Sequence, residues 1–239
     1  MLRTIICVVY VIVSFLALTP LGVIVFLLKL LGLRGFIAIF MRYVAQGWSV
    51  VMIALSGCTV TVLGAENIPR KSGVCFVSNH GSVFDIVLLM RYTGRSIGFV
   101  AKKELALVPL LNLWIYVLGG LFIDRKNLRK ALKTINKGVA RIKAGAAMLI
   151  FPEGHRSRGQ GLLPFHPGSL KLATQSESII VPVAITGSHD VFEKNYRVNP
   201  VPLRVVFCPP INTADIPATD RKLALSDQIY GVIKAALEG

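Results

Sequence analysis

The stretch VCFVSNHGSVFD, residues 74–85, decides how the rest of the chain is interpreted. Its first four residues combine β-branched and aromatic side chains with one cysteine, which is typical of a buried strand. The polar and flexible residues NHGS follow, and an apolar run that can form a helix begins at Phe84. The pattern predicts a strand, a loop and a helix, with His80 on the loop, where catalytic groups are commonly displayed.

His80 and Asp85 are separated by four residues, and Asp85 falls in the first turn of the predicted helix. A backbone that turns between them would bring the carboxylate to one imidazole nitrogen, which fixes the tautomer and leaves the other nitrogen as a general base. A structural interpretation is also open, because Ser82 and Asp85 fit a helix capping box at the positive end of a helix.

The composition indicates a membrane protein with an anionic partner. Of the 239 residues, 54% are hydrophobic, and the formal net charge is +15. Such a charge attracts nucleic acid, an anionic membrane or phosphorylated substrates. Aromatic residues are not interleaved with the basic ones, and no zinc-finger, basic-zipper or RNP motif occurs. We therefore expect membrane lipids and no nucleic acid as partners.

Two apolar stretches precede the organising motif. Residues 4–28 carry no charge and are long enough to span a bilayer, and too long for a cleaved signal peptide. Residues 36–55 are interrupted by Arg42, Gln46 and Ser49, which are spaced to share one helical face. This second pattern favours an amphipathic helix that lies in the membrane interface.

The expected domain organisation follows from these stretches. Residues 1–57 are predicted to form membrane-anchoring helices, and residues 58–239 an α/β domain that faces the cytoplasm at the inner membrane. Basic residues flank both ends of the apolar segment, so the charge rule alone leaves the orientation open.

From residue 59 onward, apolar runs of strand length alternate with helical patterns, which predicts an α/β fold with a mainly parallel sheet flanked by helices. The predicted strands are 59–63, 74–77, 96–101, 121–123, 147–151, 179–185 and 204–207. The predicted helices after Phe84 are 109–118, 127–143, 169–175 and 220–237. Pro182 inside a strand indicates a sheet edge or a bulge. The uncharged segment 105–123 is expected to form a buried helix and a strand beside an apolar pocket.

The predicted helix 127–143 is amphipathic. One stripe is apolar, and the opposite face carries five basic side chains, including Lys137 and Arg141. A solvated face is the ordinary explanation of these charges, and contact with anionic lipid headgroups is the second one.

Two further segments place charged groups at strand ends. GGLFIDR ends in Arg125, and FPEGHRSR carries Glu153, Gly154 and Arg156 directly after a predicted strand. Glycine permits close approach of the backbone, and arginine offers forked donors to a phosphate. Since the carboxyl ends of parallel strands meet in one crevice, these groups are expected near His80.

Four segments in order, NHGSVFD, GGLFIDR, FPEGHRSR and VPVAITG, are similar to the four sequence blocks of the glycerolipid acyltransferase family. The resemblance implies that His80 and Asp85 form the catalytic dyad. The residues that it implies for binding the acceptor's phosphate and glycerol are Lys102, Arg125, Glu153, Gly154 and Arg156. His155 stands where the family has threonine, which leaves local hydrogen bonding and acceptor preference open.

The resemblance is closest to the bacterial members that act on 1-acyl-sn-glycerol-3-phosphate (lysophosphatidic acid). It implies transfer of an acyl chain from acyl-CoA or acyl-carrier protein to the free hydroxyl, which gives phosphatidic acid in phospholipid synthesis, with no cofactor. The alternatives are transfer to another lysolipid or to glycerol-3-phosphate, or a non-catalytic membrane protein that binds anionic lipid.

Other chemistries find less support. The four cysteines are far apart and form no C-x-x-C pair. Glu153, His155 and His166 are possible metal ligands, but their spacing matches no standard motif, so no metal is expected. No G-x-S-x-G elbow of a serine hydrolase occurs.

Overall fold

The computed structural model describes residues 1–166, 168–213 and 224–239. Its α-helices are α1 (Leu2–Leu30), α2 (Arg34–Ser56), α3 (Phe84–Tyr92), α4 (Leu111–Val117), α5 (Leu128–Lys143), α6 (Lys171–Ser176), α7 (Ser188–Val191) and α8 (Ala224–Glu238). Its strands are β1 (Thr59–Leu63), β2 (Val74–Ser78), β3 (Ile97–Lys102), β4 (Leu121–Ile123), β5 (Ala147–Ile150), β6 (Ile179–Thr186), β7 (Pro202–Phe207) and β8 (Ile211–Asn212). The predicted start of the last helix, residues 220–223, lies outside the described residues.

The strands form one sheet in the order β1-β7-β6-β2-β5-β3-β4, with β8 also paired to β6. The pairs that involve β6 with β7 or β8 are antiparallel, and the others are parallel. The predicted α/β class with a mainly parallel sheet is therefore confirmed. β2 lies at the centre, between β6 and β5, and its five residues are all buried. The loop that carries His80 thus begins in the middle of the sheet.

Alternate side chains of β2 enter two different hydrophobic layers. Phe76 packs in a core that includes residues of α2, α3 and α4, whereas Cys75 and Val77 pack in a core with residues of α5, α6 and α8. Burial on both faces explains why β2 is a continuous apolar run without alternation. The result is a sheet covered by helices on both sides.

The N-terminal helices are attached to this domain by packing. α1 is one helix through Pro20, and at Gly22 it approaches α4 so closely that a Cβ would lie 3.1 Å from the side chain of Leu113. Residues of α1, α2 and α4 share a third hydrophobic cluster, which includes Val25, Met41 and Trp114. Both helices are long and apolar enough to cross a membrane, and many of their large apolar side chains are exposed.

The polar stripe of α2 faces the domain. Arg42 Nη1 donates to the carbonyl of Gly94 at 2.9 Å, Gln46 Nε2 donates to the carbonyl of Arg91 at 3.5 Å, and Ser49 is fully buried. Arg91 and Gly94 lie at and just beyond the C-terminal end of α3, where main-chain carbonyls lack helical partners. The stripe is therefore explained by packing on the domain, and it no longer argues that α2 lies in the membrane interface.

Pro182 is not at a sheet edge, because β6 is an interior strand. On one side of β6, Ile179 and Ile180 pair with β8, and the residues from Val183 onward pair with β7. Pro182 lies in the gap between them, where its carbonyl accepts from Cys208 N at 2.9 Å. An N–H at this position would point into the same gap, where neither strand pairs with it. The absence of an N–H in proline therefore costs the interior strand no ladder hydrogen bond.

The basic face of α5 is only partly solvated. Lys130, Lys133 and Lys137 are exposed, but Arg141 Nη1 donates to the carbonyls of Gly119 and Gly120 at 2.6 and 3.2 Å. Arg141 thus stabilises the turn before β4, which is a role that a charge pattern alone does not reveal.

Candidate active site

His80 and Asp85 are in direct contact. His80 Nδ1 and Asp85 Oδ2 are 2.9 Å apart, and Asp85 is fully buried in the first turn of α3. Ser82 N donates to the same Oδ2 at 2.9 Å, and Phe84 N donates to Ser82 Oγ at 2.9 Å. Asp85 therefore takes part in a helix cap and in a His–Asp pair at once, so the two interpretations of the motif do not exclude each other. Because Nδ1 faces the carboxylate, Nε2 is the nitrogen left to accept a proton.

The imidazole and its main chain are held by the segment that follows β5. The ring of Phe151 stacks on the ring of His80, with centroids 3.8 Å apart and planes at 13°. Glu153 Oε1 accepts from His80 N at 2.6 Å, and Ser157 N donates to the carbonyl of His80 at 2.7 Å. The FPEGHRSR segment thus fixes the position of the imidazole as well as supplying cations.

Glu153 is buried, with 1% of its surface exposed. Besides His80 N, its carboxylate accepts from Leu163 N at 3.0 Å. Burial raises the pKa of Glu153, and the hydrogen bonds from these two amides oppose the rise. The resemblance implied a substrate-binding residue, whereas the contacts of Glu153 in the structure are those of a support for the loop that carries His80.

Asn79 is a further support that the sequence did not single out. Its Nδ2 donates to the carbonyl of Ile185 at 2.9 Å, and its Oδ1 accepts from Ile185 N at 2.8 Å. These two bonds join the end of β2 to β6, so the VPVAITG segment contributes a main-chain anchor for the His80 loop. The sequence feature that could have identified Asn79 is its position directly after a buried strand.

Arg125 and Gly154 lie against each other. Arg125 Nη1 donates to the carbonyl of Gly154, and burial lowers the pKa of Arg125 while Glu104 opposes the fall. Gly154 has φ +75°, and a Cβ there would lie 2.5 Å from His166 and 2.9 Å from Arg125 Nη1. Glycine is needed at this position both for its conformation and for the close approach of the His166 and Arg125 side chains.

Lys102 and Arg156 complete the predicted cationic groups. Lys102 ends β3, and its neighbour Lys103 is bound to Asp124 at 2.9 Å. That hydrogen bond raises the pKa of Lys103 and lowers that of Asp124, so both stay charged. Arg156 Nη1 donates to Glu193 Oε1 at 3.1 Å. Sequence reasoning did not find Glu193, which lies beyond the four motif segments.

A cavity of about 1460 Å³ brings most of these groups together. The predicted site residues that line it are His80, Lys102, Arg125, Gly154 and Arg156. Asp85 and Glu153 are buried behind its wall. Apolar side chains of α1, α2, α3, α4 and α5 line most of the remainder, including Phe15, Met41, Trp48, Met90 and Trp114, and charged residues such as Glu104 and Asp124 also line it. The expectation that the segment 105–123 lines an apolar pocket is confirmed by Leu105, Leu111, Ile115, Leu118 and Ile123.

The candidate metal ligands have other surroundings. Glu153 is bonded to two main-chain amides, and the rings of His155 and His166 are 6.0 Å apart. In the part of the chain that the structure describes, no group of three histidine, cysteine, aspartate or glutamate side chains is arranged to hold a metal ion.

Comparison with curated proteins finds several sequences that are similar to this chain and share one name. Sequences named 1-acyl-sn-glycerol-3-phosphate acyltransferase are similar to it. The one from Limnanthes douglasii is 36% identical over 167 residues, and the one from Borreliella burgdorferi is 32% identical over 149 residues. The aligned regions cover 69% and 62% of this chain, and 59% and 60% of the relatives' own length.

The crystal structure of the 1-acyl-sn-glycerophosphate (LPA) acyltransferase from Thermotoga maritima has the same fold. The TM-score is 0.76 at 23% sequence identity, and the match covers 99% of this chain and 95% of that one. The family model described as Acyltransferase matches residues 59–186, which is more than half of the chain and includes the four motif segments except Gly187, the last residue of VPVAITG. The chain therefore belongs to the acyltransferase family.

Proposed function

We propose that this chain transfers an acyl chain from acyl-CoA or acyl-carrier protein to the free hydroxyl of 1-acyl-sn-glycerol-3-phosphate, with phosphatidic acid as the product. One observation carries the proposal. His80, which is paired with the buried Asp85, and the cations Lys102, Arg125 and Arg156 line one cavity, and most of the rest of its lining is apolar. A base, an anion-binding group and room for acyl chains are what such a reaction requires.

In the proposed mechanism, His80 Nε2 removes the proton of the acceptor hydroxyl while Asp85 stabilises the imidazolium that forms. The acceptor oxygen attacks the thioester carbonyl and gives a tetrahedral oxyanion. When this intermediate collapses, the carbon–sulfur bond breaks, and the thiolate takes the proton from His80. The products are phosphatidic acid and a free thiol, and neither a covalent enzyme intermediate nor a cofactor or metal takes part.

The cations are proposed to bind the acceptor's phosphate. Arg125 is held by the carbonyl of Gly154 and Arg156 by Glu193, so both guanidinium groups are positioned before the substrate binds. Fixing the phosphate presents the hydroxyl to His80, an orientation effect that is worth up to several kcal/mol. Lys102, which also lines the cavity, adds a third positive charge.

The proposed location is the inner membrane, with the α/β domain on the cytoplasmic side. The two apolar helices fit a membrane segment, and both contribute side chains to the cavity wall. A lysolipid can then enter from the bilayer, and a water-soluble donor can approach from the cytoplasm. Membrane lipids are the expected surroundings of residues 1–57.

The test is the release of thiol from acyl-CoA by the purified chain in detergent or vesicles, with and without lysophosphatidic acid. Release that depends on lysophosphatidic acid supports the proposal, and parallel runs with acyl-carrier protein identify the donor. A faster reaction with glycerol-3-phosphate or another lysolipid would show that this compound is the acceptor instead. The comparison matters because His155, which stands where the family has threonine, leaves the acceptor preference open. Binding of anionic lipid, with no thiol release from the acyl donor in the presence of any of these acceptors, would refute an enzymatic function.

A further inference from the structure

We propose that Glu193 is a positioning residue that sets the distance between the base His80 and the anion-binding guanidinium of Arg156. Glu193 Oε2 accepts from Ser82 Oγ at 2.6 Å. Its Oε1 accepts from Val83 N at 2.8 Å and from Arg156 Nη1 at 3.1 Å. The inference rests on the proposed function, since it assigns to these two groups the roles of base and phosphate anchor.

One arm of this arrangement leads to the base. The Oγ of Ser82 is fixed between Glu193 and the main-chain N–H of Phe84, at the first residue of α3. The main-chain N–H of Ser82 holds Asp85 Oδ2, the oxygen that also faces His80 Nδ1. Glu193 therefore fixes the start of α3, and with it the carboxylate that orients the imidazole. A negative charge is also favourable at a helix N-terminus.

The other arm leads to the cationic side of the cavity. The side chain of Arg156 is 40% exposed and lines the cavity, whereas that of Glu193 is 8% exposed. Arginine has five N–H donors, so one bond to Glu193 leaves others for a phosphate. A long side chain that is already held loses less conformational entropy when the anion binds.

Glu193 differs from an ordinary surface ion pair on the same segment. Asp190 and Lys194 are 3.3 Å apart, and their side chains are 45% and 64% exposed. Such a pair contributes little, because solvent screens it. Glu193 is nearly buried and collects three donors from two different motif segments. Lys194 is therefore a matched control, adjacent in sequence and remote in contacts.

Glu193→Gln retains the shape of the side chain, but its amide cannot accept from all three donors. If the amide oxygen faces Val83 N and Arg156, the amide nitrogen faces Ser82 Oγ, which then loses its acceptor. If the amide is reversed, its nitrogen meets the two donors. In either orientation the charge-assisted bond to Arg156 is weakened. We expect an acceptor KM raised about tenfold, equivalent to about 1.4 kcal/mol, together with a lower kcat and an unchanged donor KM.

The experiment compares wild type, Glu193→Gln and Lys194→Gln by titrating lysophosphatidic acid and acyl-CoA separately. A raised acceptor KM in Glu193→Gln alone supports the proposal, because a general loss of folding does not raise the KM of one substrate selectively. Equal changes in both KM values, or none, would overturn it. Ser82→Ala is the second variant. It cuts only the arm to Asp85, so it should lower kcat and leave the acceptor KM unchanged, and a raised acceptor KM would contradict the two-arm arrangement.

A binding measurement separates this inference from the proposed function. Lysophosphatidic acid is added without donor, and the rise in Tm is measured for the same proteins. A smaller rise in Glu193→Gln than in wild type and Lys194→Gln supports the positioning role even if no acyl transfer occurs, in which case only the proposed function fails. An equal rise in all three, or no rise in wild type, would refute the inference.

Discussion

Gly154→Ala tests whether the contact between Gly154 and Arg125 organises the anion-binding side of the cavity. Two effects follow from the structure. A φ of +75° costs alanine about 1 kcal/mol relative to glycine. The new Cβ would also lie 2.5 Å from His166 and 2.9 Å from Arg125 Nη1, so both side chains must move. Displacing Arg125 weakens its bond to the carbonyl of Gly154, and it would weaken the contact with phosphate that is proposed for Arg125.

Gly161→Ala is the matched control. Gly161 has φ +78°, but a Cβ there meets nothing within 4 Å. Gly161→Ala should lose about 1 kcal/mol of stability, which lowers Tm by about 2–4 °C in a chain of this size, and Gly154→Ala should lose at least as much because His166 and Arg125 must also move. Only Gly154→Ala should also raise the acceptor KM, by about tenfold if one charge-assisted hydrogen bond is lost. Thermal unfolding and titration of lysophosphatidic acid measure the two effects. Equal acceptor KM values for the two variants would refute the argument.

Three further predictions concern other parts of the structure. His80→Ala should lower kcat roughly a hundredfold to ten-thousandfold, while its Tm stays near that of wild type. Asp85→Asn should also be severely impaired. Near-normal turnover of His80→Ala would disprove the proposed base. Burial raises the pKa of Glu153 above its ordinary value of 4.5, so the folded state holds this proton more tightly than the unfolded state. The unfolding free energy of wild type should therefore fall relative to that of Glu153→Gln as pH rises above 4.5. Measured Tm values of the two proteins that change in parallel with pH would contradict this. Arg141→Met should cost about 1–3 kcal/mol of stability through the loss of two hydrogen bonds to main-chain carbonyls, whereas Lys137→Met on the same helix should be nearly neutral in Tm.

Much of the α/β domain could be predicted because its signals are local. β2 is an apolar run that is buried on both faces, and α5 shows helical periodicity with Asn127 as its N-cap. The sheet-edge alternative for Pro182 was wrong because a proline in a strand reports only a missing donor. The missing N–H could have faced solvent at an edge or a break between two partner strands. Which of these holds depends on where β7 ends and β8 begins, and the sequence of β6 alone does not contain that information.

The candidate site was predictable to the extent that its residues follow strand ends. His80, Arg125 and Arg156 could be placed in one crevice because parallel strands direct their carboxyl ends to the same edge. Sequence alone did not show which side chains face the cavity and which support it. Glu153 is adjacent to the cavity-lining Gly154, yet its carboxylate is buried and bonded to two amides. Glu193 was missed for a related reason, because its partners are more than thirty residues away in sequence.

For the N-terminal helices as well, the sequence did not show which parts of the domain they contact. Composition predicted a membrane anchor over residues 1–57, and that boundary stays a prediction. In the structure, Ala45 and Ile53 of α2 belong to the same hydrophobic core as Phe76 of the central strand. Side chains of α1 and α2 also form part of the cavity wall that His80 faces. If acyl chains occupy this cavity, the apolar segment binds substrate as well as membrane, since one wall of the binding site is the membrane segment itself.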